Sequence, residues 1–240
     1  MPYLLFFTIS ILTGSTAFGQ FAAADSTVLA AAQQQAIALY TNALREKPHL
    51  YNGHEYIPHD RRIKIHPYFN SDTLQSGSIT YNGLSYDRVL MLYDIVRDEL
   101  AIQLPRSPYR ARPHSEQVTS FSLGPYQFKR ITGDSLAGVR TGFYQILYDG
   151  KIQFLARHIK TVQEDLSSGV YRGTYIARDR YFIYKDGTYH EIRQKRSVFA
   201  LFPDQKGPLR KYIRANHLKF KAQREKTITA IVKQYEKLTH

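Results

Sequence analysis

No cysteine occurs anywhere in the 240 residues, and tryptophan is missing as well. A chain without cysteine has no disulfide framework, no thiolate nucleophile and no lipid-attachment site of the bacterial lipoprotein kind. Its stability must come from the core alone. The chain is long enough to bury a sizeable one, as a single domain or a domain with a small appendage. Other signatures are missing too. There is no G-x-S-x-G elbow, and Ser76-Gly77-Ser78 leads into a hairpin, so serine-type nucleophilic catalysis finds no support. The stretch Gly133 to Gly142 lacks the lysine and the strand–loop–helix setting of a phosphate loop. The carboxylate pairs Asp98-Glu99 and Glu164-Asp165 are sequence neighbours at expected turns, where their side chains face apart. No repeat of fixed 20–50 residue period is present.

What is there is aromatic and turn-rich. Nineteen tyrosines and a hydrophobic share of 43% suit half-buried sheet surfaces, where the ring packs and the hydroxyl stays wet. Asn82-Gly83, Asp149-Gly150 and Asp186-Gly187 sit between apolar runs, the strongest short-range signal for a β-hairpin. Around Asn82-Gly83 a two-residue turn sets Ile79 opposite Tyr86 and Tyr81 opposite Leu84. Ser78, Thr80, Ser85 and Asp87 fall on the wet face. Around Asp149-Gly150 a two-residue turn puts Phe143, Gln145 and Leu147 on one core face with Ile152, Phe154 and Ala156. Around Asp186-Gly187 two registers compete: Tyr184 faces Tyr189 across a two-residue turn, or Thr188 across a bulged one.

Along the chain, residues 1–19 read as a signal peptide. Tyr3 to Leu12 is apolar apart from Thr8 and Ser10, and Ala17-Phe18-Gly19 offers small residues at a cleavage site, although the leader has no Lys or Arg. The apolar run is short for a membrane span, so no transmembrane segment is expected after cleavage. Ser26 to Arg45 has helical spacing at Leu29, Ala32, Ala36, Leu39, Tyr40 and Ala43, and Pro48 ends it. Leu50 to Asp60 reads as a loop or irregular strand, and Arg62 to His66 as a short strand. Pro105 to Pro113 reads as an exposed loop. Val118 to Leu123 and Tyr126 to Ile131 read as a strand pair. Pro208 suits the first turn of a helix running to about Ala215, and Ala222 to Leu238 forms a helix with Ile228, Ile231, Val232, Tyr235 and Leu238 in one stripe. The expected fold is α+β: a single exported domain over 20–240. An N-terminal helix lies within 20–50, and a large antiparallel meander of roughly eight to ten strands, curled or partly closed, spans 51–194. A basic helical tail over 195–240 packs on the sheet.

This layout of leader, N-terminal helix, meander with Tyr81-Asn82-Gly83 and Tyr148-Asp149-Gly150 turns, and basic helical tail resembles uncharacterised exported proteins of Gram-negative Bacteroidetes-type bacteria. The resemblance covers most of the mature chain. It implies residence in the periplasm or at the outer cell surface and carries no known active site.

The net charge is +13, and residues 193–226 hold eleven Lys and Arg against Asp204 and Glu225, a net of +9. The charge is therefore local. Lys195, Arg196, Lys206, Arg210, Lys211, Arg214, Lys219, Lys221, Arg224 and Lys226 are interleaved with Phe199, Phe202, Tyr212 and Phe220. Such a stripe would suit nucleic acid, but export argues against that partner. An anionic glycan, a lipid headgroup at a membrane surface or an acidic protein of the envelope remains, and the bland alternative is a solvated face that aids solubility. A second candidate surface is made by Tyr144, Tyr148, Tyr171, Tyr175, Tyr181, Tyr184 and Tyr189, although core or half-core is the commoner fate of such residues. For metal, His54, Glu55, His59 and Asp60 are the best candidates, with His49 and His66 nearby. Their spacing fits poorly, because His54 and His59 are five apart and Pro58 interrupts any helix. No cofactor is expected. Three functions follow in order: non-catalytic docking to an anionic partner, carriage of an apolar ligand in the curled sheet, and metal-dependent hydrolysis through residues 54–60.

Overall fold

The structure, a computed structural model, describes residues 32–35, 49–133, 138–165 and 172–239. The chain divides into two units, Met1–Pro48 and His49–His240. In the first unit residues 32–35 are helical, inside the span expected for the N-terminal helix. The rest of that helix and the leader at 1–19 lie outside the described residues.

The second unit is a large antiparallel sheet with a few helices. Its strands are β1 (His54–Glu55), β2 (Gln75–Tyr81), β3 (Leu84–Asp94), β4 (Glu99–Gln103), β5 (Arg110–Arg112), β6 (Val118–Leu123) and β7 (Tyr126–Ile131). They are followed by β8 (Gly142–Asp149), β9 (Gln153–Asp165), β10 (Arg172–Lys185) and β11 (Thr188–Ile192). Three helices close the chain: α1 (Lys195–Ala200), α2 (Lys206–Ala215) and α3 (Arg224–Leu238). The eleven strands form one sheet in the order β1-β5-β4-β3-β2-β6-β7-β8-β9-β10-β11, open at both edges. Two meanders, β2 to β5 and β6 to β11, are joined where β2 pairs β6.

Local turn chemistry sets most registers. Asn82 and Gly83 have φ of 49° and 76°, as a two-residue hairpin turn requires. Ile79 faces Tyr86 and Tyr81 faces Leu84, as the spacing predicts. At Asp186-Gly187 the two-residue turn is the one adopted, with Tyr184 opposite Tyr189. The β8–β9 turn differs from expectation. Gln145 pairs Ala156 and Tyr148 pairs Phe154, with a bulge between Ile146 and Tyr148. The cause is helix α3, whose Glu236 accepts the Ile152 amide at 2.7 Å and the Tyr148 hydroxyl. A two-residue turn would draw Ile152 into the ladder. Here its amide goes to the helix, and a Cβ at Gly150 would lie 2.6 Å from Glu236 Oε2.

Other expectations also need correction. Arg62 to His66 makes no strand, and three residues of the loop expected at Pro105 to Pro113 form β5, paired to β4 and β1. The β8–β9 pair is dry on both faces around Phe143–Tyr144 and Phe154–Ala156, not on one. Tyr144 and Leu155 are fully buried on the face opposite Phe143 and Phe154, in a cluster with Ile131, Val139 and Phe182. Leu238 leaves the predicted helix stripe and is exposed, whereas Ile228, Ile231 and Val232 are buried against Phe154, Ile183 and Phe202.

The sheet curls strongly. β3 and β8 are separated by β2, β6 and β7, which in a flat sheet is about 19 Å. Yet the turn after β3 touches β8 and β9 directly. Asp98 accepts the Phe143 amide and meets Arg157 Nη2 at 3.3 Å, and the Lys160 amide donates to Ile95 O at 3.0 Å. The concave face so formed is filled by the rings of Phe69, Tyr93, Phe121, Phe128 and Phe143, mostly edge-to-face with centroids 4.6–6.4 Å apart.

Along the seam runs the irregular segment from Tyr56 to Phe69, and a buried carboxylate holds it there. Asp94 is fully buried at the end of β3. Its Oδ1 accepts the amides of Val96 and Arg97 at 2.9 and 3.1 Å, and its Oδ2 accepts Tyr56 Oη at 2.9 Å and His59 Nε2 at 2.6 Å. With that proton on Nε2, His59 Nδ1 accepts the Tyr175 hydroxyl of β10 at 2.9 Å. Lys160 Nζ donates to the carbonyls of His66 and Tyr68 at 2.8 and 2.9 Å.

Truncating Asp94 would strand four donors at once, so Asp94→Ala should lower unfolding stability by about 3 kcal/mol or more. Asp87→Ala, on the wet face, should stay within about 0.5 kcal/mol in the same urea titration. A second prediction concerns pH. Burial holds the Asp98 carboxyl above the ordinary aspartate value of 3.8, against the opposing pull of Tyr93 and Arg157. The native state therefore binds that proton more tightly than the unfolded chain does. The resulting stabilisation is complete below about pH 3.8 and is lost as pH rises through the raised native value. Measured by urea midpoints, wild type should gain on Asp98→Asn as pH falls through that window, and a constant gap would refute this.

Candidate anion-binding groove

The basic tail folds into three short segments whose polarity is set by the helix period. In α2, Leu209 and Ile213 are four apart and buried against the sheet-facing core, which turns Arg210 and Arg214 outward together. In α1, Val198 and Phe199 are buried while Lys195 and Arg196 are exposed. The two helices and the segment after α2 border an open cavity of about 760 Å³. Five cations line it: Lys195, Arg196, Arg210, Arg214 and Lys219. The floor is formed by the edges of Phe199 and Ile213 with half-buried Leu218, and His217 stands at the side. Among the described residues no Asp or Glu lines this cavity.

The charges are held rather than neutralised. Arg210 lies over the Phe199 ring with its Cζ 5.4 Å from the centroid, and Lys195 approaches the same ring at 5.9 Å. With the Gln194 amide turned so that its oxygen faces Arg196, it accepts from Nε and Nη2 at 2.6 and 2.9 Å. No ion pair among the described residues involves any of the five. The helix dipole favours Arg214, in the last turn of α2, but does not account for Lys195 and Arg196. The first turns of α1 and α2 contain no acidic residue, so Lys195, Arg196 and Lys206 sit where the helix dipole disfavours cations.

Of the ten basic residues singled out in the sequence, the fold thus gathers five. Lys206, Lys211, Lys221 and Lys226 are exposed but do not line the groove. Lys211 follows Arg210 in sequence yet does not line the groove with Arg210 and Arg214. Arg224 is turned inward. Its guanidinium stacks on Tyr181 at 4.7 Å and on Phe220 at 5.7 Å, and its Nη2 donates to Ile192 O. Counting Lys and Arg along the chain passes over His217 and Leu218; only the fold shows that they border the site.

The residues proposed for metal go to different neighbours. His54 stacks edge-on against His114 at 5.2 Å, Glu55 is exposed, His59 is bound to Asp94 and Tyr175, and Asp60 is chelated by Arg62 at 2.6–3.1 Å. Among the described residues no group of three His, Cys, Asp or Glu is arranged to hold a metal ion. The tyrosines are mostly structural. Tyr144, Tyr175 and Tyr181 are buried and Tyr148, Tyr184 and Tyr189 are half-buried, while Tyr171 lies outside the described residues. No helix among the described residues is long and apolar enough to cross a membrane. Comparison with protein-family models, with curated proteins and with solved structures returns no match.

The inward and outward cations should separate in mutagenesis. Arg224→Ala should cost about 1–2 kcal/mol of unfolding stability through the lost carbonyl bond and ring stack. Lys226→Ala, exposed one turn away from any such contact, should change it by no more than about 0.5 kcal/mol in the same denaturant assay.

Proposed function

We propose that this is an exported, non-catalytic protein of the cell envelope that docks to an anionic partner through its basic C-terminal surface, with the α1–α2 groove as the point of contact. The observation that carries the reading is the convergence of Lys195, Arg196, Arg210, Arg214 and Lys219 on one cavity with no carboxylate among the described residues of its lining. Cations kept close without counter-charges repel one another, an arrangement that lowers stability unless an anion is bound. Guanidinium groups oriented by Phe199 and Gln194 present their remaining N–H donors in a fork that matches phosphate, sulfate or carboxylate. The export leader read at residues 1–19 places such a surface among envelope glycans, lipid headgroups and acidic proteins.

Association through exposed cations is screened over about 8 Å at physiological ionic strength, so it should weaken steeply with salt. The test is co-sedimentation of the protein with its own envelope fraction at low and moderate salt. Wild type should bind at low salt and release as salt rises. Arg210→Glu with Arg214→Glu should cut low-salt binding by at least about tenfold, since each basic residue near an anionic surface contributes roughly 1 kcal/mol. The circular-dichroism melt should not fall, because the reversal relieves repulsion among the remaining cations. Equal binding by the reversed variant would refute the proposal.

A further inference from the structure

The groove is more than a charged face, because its floor is apolar. Phe199, Ile213 and Leu218 form that floor directly beneath the ring of cations. Phe199 and Ile213 are nearly buried, at 4% exposure each, and belong to the core beneath the helices. Leu218 packs on the same core and is only half-buried. A purely polar anion, such as a free sugar phosphate, would satisfy the rim and leave this floor in contact with water. An acidic peptide or glycan would do the same unless it carried an apolar anchor.

We infer that the groove binds a phosphate-bearing lipid, with the headgroup between Arg196, Arg210 and Arg214 and the first part of one acyl chain laid on Leu218 and the edges of Phe199 and Ile213. This rests on the docking role proposed above and names the chemistry of the partner. Charge complementarity selects the headgroup, since three guanidinium groups and two ammonium groups face no carboxylate among the described residues. Arginine serves phosphate by paired N–H donation, and the ring under Arg210 orients that fork in advance, which reduces the ordering cost of binding. A cavity of about 760 Å³ leaves room for a headgroup and a stretch of chain together. Lys195 and Lys219 stand at its rim, placed to meet neighbouring phosphates of the same leaflet. The protein then sits on the membrane surface and holds one lipid in the groove.

The test compares a monoacylglycerol phosphate below its aggregation threshold with glycerol phosphate, by calorimetry on the full protein. The headgroup is common to both probes. Burying even two methylenes is worth about tenfold in affinity, so the acylated probe should bind at least about tenfold more tightly. Leu218→Ser should reduce that ratio several-fold and leave glycerol phosphate binding unchanged, while Leu218→Met should restore it. Arg210→Glu with Arg214→Glu should abolish binding of both probes. Equal affinity for the two probes, with charge reversal still effective, would overturn the lipid assignment and leave the anionic docking role standing. Binding that survives charge reversal would overturn both. Phosphatidylcholine vesicles with and without phosphatidylglycerol supply the second readout. Co-sedimentation only with the anionic vesicles, lost in Leu218→Ser, supports the assignment. Vesicle binding insensitive to Leu218→Ser counts against it.

Discussion

A carboxylate taken wholly out of water must have its oxygens satisfied, and in this protein that requirement organises the sheet. Asp94 stands at the end of β3 with no exposure, and its two oxygens collect two turn amides, a tyrosine hydroxyl and a histidine nitrogen. The amides shape the turn into β4. Tyr56 and His59 bring in a segment that has almost no regular structure of its own, and His59 passes the connection on to Tyr175 in β10. Asp98, four residues further on, carries the same turn against Phe143 and Arg157. Strands remote in the sheet order are therefore tied together by polar bonds along one seam. The aromatic rings fill the concavity this creates.

The two polar systems of the protein are built on opposite principles. Along the seam charged groups are met by close polar partners: Asp94 by His59 and Tyr56, Asp98 by Arg157, Glu99 by Arg112, and Lys160 by two backbone carbonyls. Such pairs resist separation and offer little to a ligand, since most of their donors and acceptors already face one another. On α1 and α2 the charges share one sign and are oriented by neutral groups, an aromatic ring and a side-chain amide. They keep donors free. Arg224 shows the difference within a single helical segment, because its inward stack on Tyr181 turns a tail cation into part of the framework.

Elements whose cause is local were legible in the residues. The strands Val118–Leu123 and Tyr126–Ile131 and the Asn82-Gly83 hairpin lie where alternation and turn chemistry put them. Helices α2 and α3 follow from Pro208 and from the Ile228, Ile231, Val232 stripe. The elements that escaped were those decided at a distance. β5 is three residues long and exists through its partners β4 and β1. The bulge in β8 depends on Glu236, more than eighty residues away. Alternation at Arg62 to His66 produced no strand: the Arg62 and Ile63 amides turn back to Asp60, and His66 O accepts Lys160 Nζ from β9.

For the candidate site the division is similar. By itself the sequence determined that the chain has no disulfide support, that a meander of tight hairpins precedes helices, and that the cations concentrate in residues 193–226, because composition and short-range periodicity are properties of neighbours along the chain. Only the tertiary structure decided which five cations share a cavity, that Lys211 does not line it and Arg224 turns in, and that Leu218 contributes to an apolar floor. Direction around a helix, and what a half-buried residue rests on, are fixed by packing against Phe202, Ile231 and the far strands of the sheet. Those contacts join residues that no local pattern connects.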